Sequence, residues 1–258
     1  MIDIHCHVLP GIDDGADDLA TATAMCRMAA ADGCTGMVLT PHQRTELWEN
    51  TDRSRLDALR RRVEESLAGA GPKLHAGGEI RIDAELLSEL DRHPGTGLAP
   101  LADSRYLLLE FDRWAPPPDP VDLTHELLVA DWVPIYAHPE FIPFLAADLG
   151  LMRHLADQGA LFQLTAGSLT GDHGGETRDL CHRMVDAGLI HFVASDTHGT
   201  SHRPPGLSRA RALLARRWGE DVAQALTLDH PRAVVEDRPL TATVHSFDSG
   251  ARESGARR

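Results

Sequence analysis

The chain has 258 residues, 42% of them hydrophobic, with 25 Lys and Arg against 39 Asp and Glu and a formal net charge of −14. That length supports one large domain or two small ones, and the acidic balance argues against a broad nucleic-acid footprint, which needs a basic face. No apolar run approaches the ~18 residues of a membrane span and no basic segment precedes the first apolar run, so neither membrane insertion nor a signal peptide is expected, and a cytoplasmic location is the default.

In chain order, short apolar runs alternate with longer amphipathic stretches. Strands are expected at 2–6, 36–39, 74–78, 106–109, 133–136, 161–164 and 190–194. Helices are expected near 18–31, 53–68, 84–90, 121–130, 145–157, 177–187, 207–218 and 221–228. In the second of these, Leu56, Leu59, Val63 and Leu67 recur at helical spacing;. The proline-rich WAPPPDP at 114–120 reads as a loop, and residues 241–258 as a polar, disordered tail beyond a single domain at 1–240. Alternating strand and helix implies a parallel sheet with right-handed crossovers, and seven such units suggest a closed or nearly closed barrel. An open doubly wound sheet is the competitor. The Gly-rich dinucleotide fingerprint is absent after the first strand, where HCHVLPG stands.

The first strand opens the chemistry, in MIDIHCHVLPGIDDGADD. His5 and His7 are two apart, so strand alternation points both to one side and Cys6 to the other. A zinc finger fails for want of partners: Cys6, Cys26, Cys34 and Cys181 form no CxxC pair;. Cys26 and Cys34 lie in apolar surroundings and read as small core hydrophobes. Later strands end at His42, Glu79, Glu110, His138 and, in HFVASDTH, at Asp196 and His198. The sixth strand, LFQLTAGS, ends without an obvious ligand. Any one of these has an ordinary explanation: a loop histidine, a surface carboxylate, or, for Asp13 and Asp14, a helix N-terminus. His75, His93, His125, His154, His173, His182, His191, His230 and His245 have no such placement and read as ordinary. Recurrence at the same end of consecutive strands is what a barrel rim would gather. His5, His7, Asp14, His42, Glu79, Glu110, His138, Asp196 and His198 exceed the needs of one or two ions. Three ions with a bridging carboxylate use them economically. Histidines with carboxylates and no thiolate suit manganese, iron or zinc.

DIHCH…GIDDGA, TPH, GGE, LLLEF, AHPE and ASDTH…RPP together resemble the PHP superfamily of metal-dependent phosphoesterases, in order from about residue 1 to 240. DIHCHVLPGIDDGA, QLTAGSLTG and HFVASDTHGTSHRPPGL are especially similar to its bacterial manganese-dependent tyrosine-protein phosphatases of the CpsB/CapC/YwqE type. The resemblance implies an α/β fold, a distorted (β/α)7 barrel with three divalent metal ions at the C-terminal rim of the strands. It implies one ion on His5, His7, Glu79 and Asp196, a second on Glu79, Glu110 and His138, and a third on Asp14, His42 and His198. It implies hydrolysis of phosphotyrosine by a metal-activated hydroxide, on a tyrosine autokinase that controls capsule or exopolysaccharide export. Arg203 matches a phosphate-binding arginine of that branch. The family's second arginine follows HPE, where this chain has Phe141, read first as a packed aromatic. No cysteine nucleophile is called for, since the CxxxxxR loop is absent. The alternatives are a small-molecule phosphatase, such as one acting on histidinol phosphate, and a non-catalytic metal-binding module, which the intact ligand set disfavours.

Overall fold

The structure is a computed structural model, and it describes residues 1–90, 97–113 and 119–240. β1 (Ile2–Cys6) leads through a loop to α1 (Leu19–Ala31), which begins where Asp18 accepts the Thr21 amide at 2.8 Å. Asp18, not Asp13 or Asp14, is therefore the helix cap.

β2 (Gly36–Leu39) stops short of Pro41, which has no amide to continue a ladder, and β3 (His42–Gln43) resumes in a different sheet;. α2 (Arg53–Leu67), capped by Asp52, returns the chain to β4 (Lys73–Ala76). Gly77 and Gly78 separate β4 from β5 (Glu79–Arg81). A Cβ on Gly78 would stand 2.3 Å from Gln43 Oε1. The bare glycine backbone is what lets β3 and β5 close up beside each other. Among the described residues the seven expected runs thus appear as nine strands, because the second and third are each interrupted.

α3 (Leu86–Leu90), β6 (Tyr106–Glu110), α4 (Pro120–Val129) and β7 (Val133–Ala137) follow. The single helix expected at 145–157 is two, α5 (Pro143–Ala147) and α6 (Leu149–Gln158), because Asp148 turns out of the helix to cap the amides of Gly150 and Leu151. β8 (Leu161–Thr165) runs straight into α7 (Ala166–Thr170), a short helix that the apolar pattern did not signal. α8 (Gly175–Asp186), β9 (Phe192–Ala194), α9 (Ser208–Trp218) and α10 (Glu220–Gln224) lead through a π-turn to α11 (His230–Val235), also unexpected. Residues 114–118 of the expected loop, the expected tail at 241–258, His93 and His245 lie outside the described residues. Among the described residues no helix is long and apolar enough to cross a membrane.

All strand pairs are parallel, in the orders β1-β2-β4 and β3-β5-β6-β7-β8-β9. The two sheets meet where the Asp196 amide donates to His5 O at 2.9 Å and the His7 amide to Thr197 O at 3.0 Å. Alternate side chains sort into two cores. Ile4, Val38, Leu108, Ile135, Leu161 and Phe192, drawn from both sheets, share one cluster. Leu39, Leu107, Tyr136, Phe162 and Val193 belong to the larger cluster that includes the buried faces of the helices. Residues in register therefore deliver their polar ends to the same end of the strands.

Candidate metal centre

His5 and His7 are fully buried, and their Nε2 atoms are 3.2 Å apart. Each ring is held from behind. His5 Nδ1 donates to Gln163 Oε1 at 2.8 Å, and His7 Nδ1 to Asp13 Oδ2 at 2.9 Å. With both Nδ1 atoms committed, two nitrogen lone pairs would face each other unless positive charge lies between them. Burial opposes positive charge there, yet Asp13, Asp196 and Glu79 raise the His7 pKa well above its ordinary value, so the surroundings favour a cation at this point. A divalent cation meets that demand in place of a proton.

The break at Pro41 and the glycine pair set His42 and Glu79 opposite each other in the β3–β5 register. His42 Nδ1 approaches Glu79 Oε2 at 2.9 Å, and His138 Nε2 lies 2.9 Å from Glu79 Oε1. Glu79 is thus central. Burial would raise its pKa, but the imidazoles of His5, His42 and His138 hold it well below the usual carboxylate range. Glu110, the neighbouring carboxylate, is pushed up by burial and by Glu79. On the outer side, Asp14 Oδ1 lies 3.4 Å from His42 Nε2 and 3.3 Å from His198 Nε2. Burial works against ionising Asp14, and the two histidines overcome it. His198 Nδ1 donates to Asp196 O at 2.9 Å, so its Nε2 also faces the cluster.

All nine candidate ligands fall into four overlapping groups whose ligand atoms lie within 4.8 Å of one another: His7, Asp14, His42 and His198; His5, His7 and Asp196; His5, Glu79 and His138; and His42, Glu79 and Glu110. Glu79 Oε2, Glu110 Oε2, His42 Nδ1 and His138 Nδ1 are buried with no aligned hydrogen bond among the described residues. Buried polar atoms are rarely left so, and Glu79 Oε2 and His42 Nδ1, which face each other at 2.9 Å without an aligned bond, fit a cation site;. His138, Asp196 and Arg203 have φ of 34°, 53° and 49°. Left-handed backbone at non-glycine residues costs about 1–3 kcal/mol each and concentrates at functional sites.

The Arg203 guanidinium pairs with Asp196 Oδ2, and its carbonyl accepts from the His198 amide at 3.0 Å. It therefore stands at the centre. Phe141 is not packed away in the core. It is partly exposed, its ring centroid 6.1 Å from that of His138, with the Arg113 guanidinium 5.0 Å over its ring and His173 edge-on at 5.2 Å. His173, read from sequence as ordinary, thus lies beside the site.

Other residues at the centre escaped the sequence reading. Asp13 holds His7 and also accepts the His42 amide at 3.2 Å. It accepts the Gly15 amide at 3.0 Å as well, and a Cβ on Gly15 would sit 2.1 Å from His7 O, so the DDGA turn needs its glycine. Arg81 pairs with Glu110 at 2.9 Å, and Trp48 stacks on His42 with centroids 5.3 Å apart. Gln163 answers the missing ligand of the sixth strand: it holds a candidate ligand, His5, instead. A polar residue alternating into the buried run LFQLT was the available signal. Partners behind a ligand fix its tautomer, so Gln163→Leu is expected to weaken metal binding about 10–100-fold by chelator competition while the protein stays folded. Unchanged affinity would remove Gln163 from the site.

The four cysteines are free and buried. Burial pushes the Cys26 thiol up to about 12 and the Cys6 thiol well above its ordinary value, so neither supplies a thiolate nucleophile;.

The profile of the capsular polysaccharide synthesis CpsB/CapC family matches residues 1–236. The tyrosine-protein phosphatase YwqE of Bacillus subtilis is 35% identical over 233 residues, 88% of this chain and 89% of that protein. The putative tyrosine-protein phosphatase CapC of Staphylococcus aureus is 35% identical over 207 residues, 79% of each chain. A crystal structure from work on B. subtilis YwqE and Streptococcus pneumoniae CpsB, described as metal-dependent tyrosine phosphatases, superposes with a TM-score of 0.87 at 31% identity, over 93% of this chain and 96% of that one. A β-aspartyl dipeptidase from Fervidobacterium islandicum, 14% identical with a TM-score of 0.51 over 91% of this chain and 72% of its own, shares the fold alone. With the family profile spanning nearly all the described residues and relatives this similar along most of their length, the chain belongs to the CpsB/CapC capsular polysaccharide synthesis family.

Proposed function

We propose that the chain is a cytoplasmic, metal-dependent phosphotyrosine-protein phosphatase of capsule or exopolysaccharide control, its substrate a tyrosine autokinase. The observation that carries this reading is the convergence of nine ligand-type side chains beside a guanidinium at the ends of parallel strands. Membership of a family with relatives named tyrosine-protein phosphatases supports it. The two sheets, joined at β1 and the segment after β9, are read as one distorted (β/α)7 barrel, and residues 1–240 as one domain.

His5, His7, Glu79 and Asp196 would hold one ion, Glu79, Glu110 and His138 a second, and Asp14, His42 and His198 a third, with manganese the expected metal. Bound divalent ions supply charge neutralisation at the phosphoryl oxygens and a water of lowered pKa. The chain's own contribution is positional. Gln163 and Asp13 fix the imidazoles, and Arg203 offers a planar fork to the phosphate oxygens. A phenol, of pKa near 10, leaves without much help from a general acid.

Protein saturated with manganese is expected to hold about three ions per chain by elemental analysis, and to turn over phosphotyrosine peptides faster than histidinol phosphate. A ratio near one would overturn the three-ion assignment. Faster turnover of histidinol phosphate would favour the small-molecule reading. Loss of p-nitrophenyl phosphate hydrolysis despite full metal content would favour a binding module.

Phe141 tests the departure from the family. Its partly exposed ring can stack on an aromatic leaving group, worth ~0.5–1.5 kcal/mol;. Phe141→Arg is expected to improve turnover of phosphomonoesters that lack a ring and to gain less on phosphotyrosine, with Arg113 nearby limiting the gain by like-charge repulsion. Unchanged kinetics on both substrates, in a folded and metallated protein, would place Phe141 outside the substrate's reach.

A further inference from the structure

A cavity of about 460 Å³ adjoins the metal centre, lined by Arg203, His173 and His202 and also by the carboxylates Asp32 and Asp172, with Asp32 taken up by the Leu207 and Ser208 amides. Its buried lining includes Thr165, which is 1% exposed and whose hydroxyl has no hydrogen-bond partner among the described residues. Thr170 and Arg209 also line it, and the same two residues line a second, shallower groove of about 790 Å³ over α8 and α9. The two spaces therefore share an edge, where the Arg209 guanidinium donates to both oxygens of Asp172 at 3.1 Å. The second is bordered by Arg178, Arg209, Arg216, Arg217 and His182, with Asp179 the only carboxylate of its lining among the described residues.

This charge is anomalous for the chain. The protein is formally −14, yet α9, SRARALLARRW, carries four arginines and no acid. Three of the groove arginines are paired, all with solvated carboxylates: Arg178 meets Asp179 at 2.8 Å with side chains 46% and 61% exposed. Arg209 meets Asp172 at 3.1 Å with side chains 69% and 50% exposed, and Arg217 meets Asp186 at 3.3 Å with side chains 43% and 50% exposed. Arg216 is exposed and has no carboxylate partner among the described residues. Solvated pairs of this kind are weak and exchange readily for an incoming carboxylate.

We propose that this basic track, running from Arg203 through the Thr170–Arg209 junction and along α9, docks an acidic polypeptide segment flanking the phosphotyrosine of the substrate protein. The proposal rests on the phosphotyrosine reading above and adds to it where the flanking chain lies and what charge it carries. An acidic enzyme would otherwise repel such a segment. A basic lane that ends at the catalytic arginine overcomes that repulsion and orients the approach.

The test uses manganese-loaded full-length protein and phosphotyrosine peptides of equal length, with several Asp and Glu or with Ser and Gln on one side of the phosphotyrosine, then on the other. The acidic peptide is expected to have about tenfold higher kcat/KM at low ionic strength when its acidic run lies on one particular side, mostly through KM, with the gap closing as salt is added. In Arg209→Glu/Arg216→Glu the acidic-to-neutral ratio should fall to about one or below. Arg216→Ala should lower the ratio partway, and serves if the double variant does not fold. Equal kcat/KM for acidic and neutral peptides in the wild type, or a preference that survives both variants, would overturn the docking track. p-Nitrophenyl phosphate, which has no flank, separates the two levels: turnover of it without any peptide preference sinks the docking track and leaves the phosphatase reading standing. No turnover of it in the loaded wild type sinks the phosphatase reading.

Discussion

His5→Ala is expected to lower kcat/KM on p-nitrophenyl phosphate by on the order of 10³-fold or more, about 4 kcal/mol of transition-state stabilisation, and to lower metal content with it. His5 takes part in two of the four ligand groups, with His7 and Asp196 and with Glu79 and His138. Removing its Nε2 takes a donor from both at once and leaves the Gln163 carbonyl without its partner. With less positive charge held between them, Glu79 and Asp196 repel one another more strongly. Kinetics and elemental analysis on the same preparation check this. Full turnover with reduced metal would show that catalysis does not depend on the ion held at His5. Treatment of the wild type with a chelator should abolish activity, and added manganese should restore it.

Arg203→Ala is the second large effect, on the order of 2–4 kcal/mol, or roughly 30- to 1,000-fold in kcat/KM, by comparison with lost oxyanion donors. The side chain is partly exposed at 28% and already poised at Asp196, so it can move onto a phosphate without crossing the core. Lysine offers a point charge in place of the fork, so Arg203→Lys should recover only part. Metal content should stay at the wild-type level in both variants, which separates this loss from that of a ligand variant. Wild-type kinetics in Arg203→Ala would remove the arginine from the reaction.

Much of this was legible in the linear chain because strand geometry is periodic. A residue ending a parallel strand has a foreseeable end of the sheet to occupy, so His5, His7, His42, Glu79, Glu110, His138, Asp196 and His198 could be nominated without coordinates. The alternation of apolar runs likewise announced an α/β fold of parallel strands. The tertiary structure decided what depends on close approach between segments far apart in sequence. Pro41 and the Gly77–Gly78 pair each break a strand, and only the resulting register of His42 on Glu79 shows why. Asp13 looked like a helix cap until Asp18 was seen to cap α1 and Asp13 to hold His7. Gln163 lies 158 residues from His5, and no local pattern links them. Phe141 looked like packing, and its partial exposure beside His138 and Arg113 comes from neighbours its own segment does not contain. Ligand-bearing ends are set by local backbone period, which a sequence carries. The groups that orient those candidate ligands, and the meeting of α9 with the cavity beside Arg203, are set by which surfaces meet, and that follows from packing the whole chain.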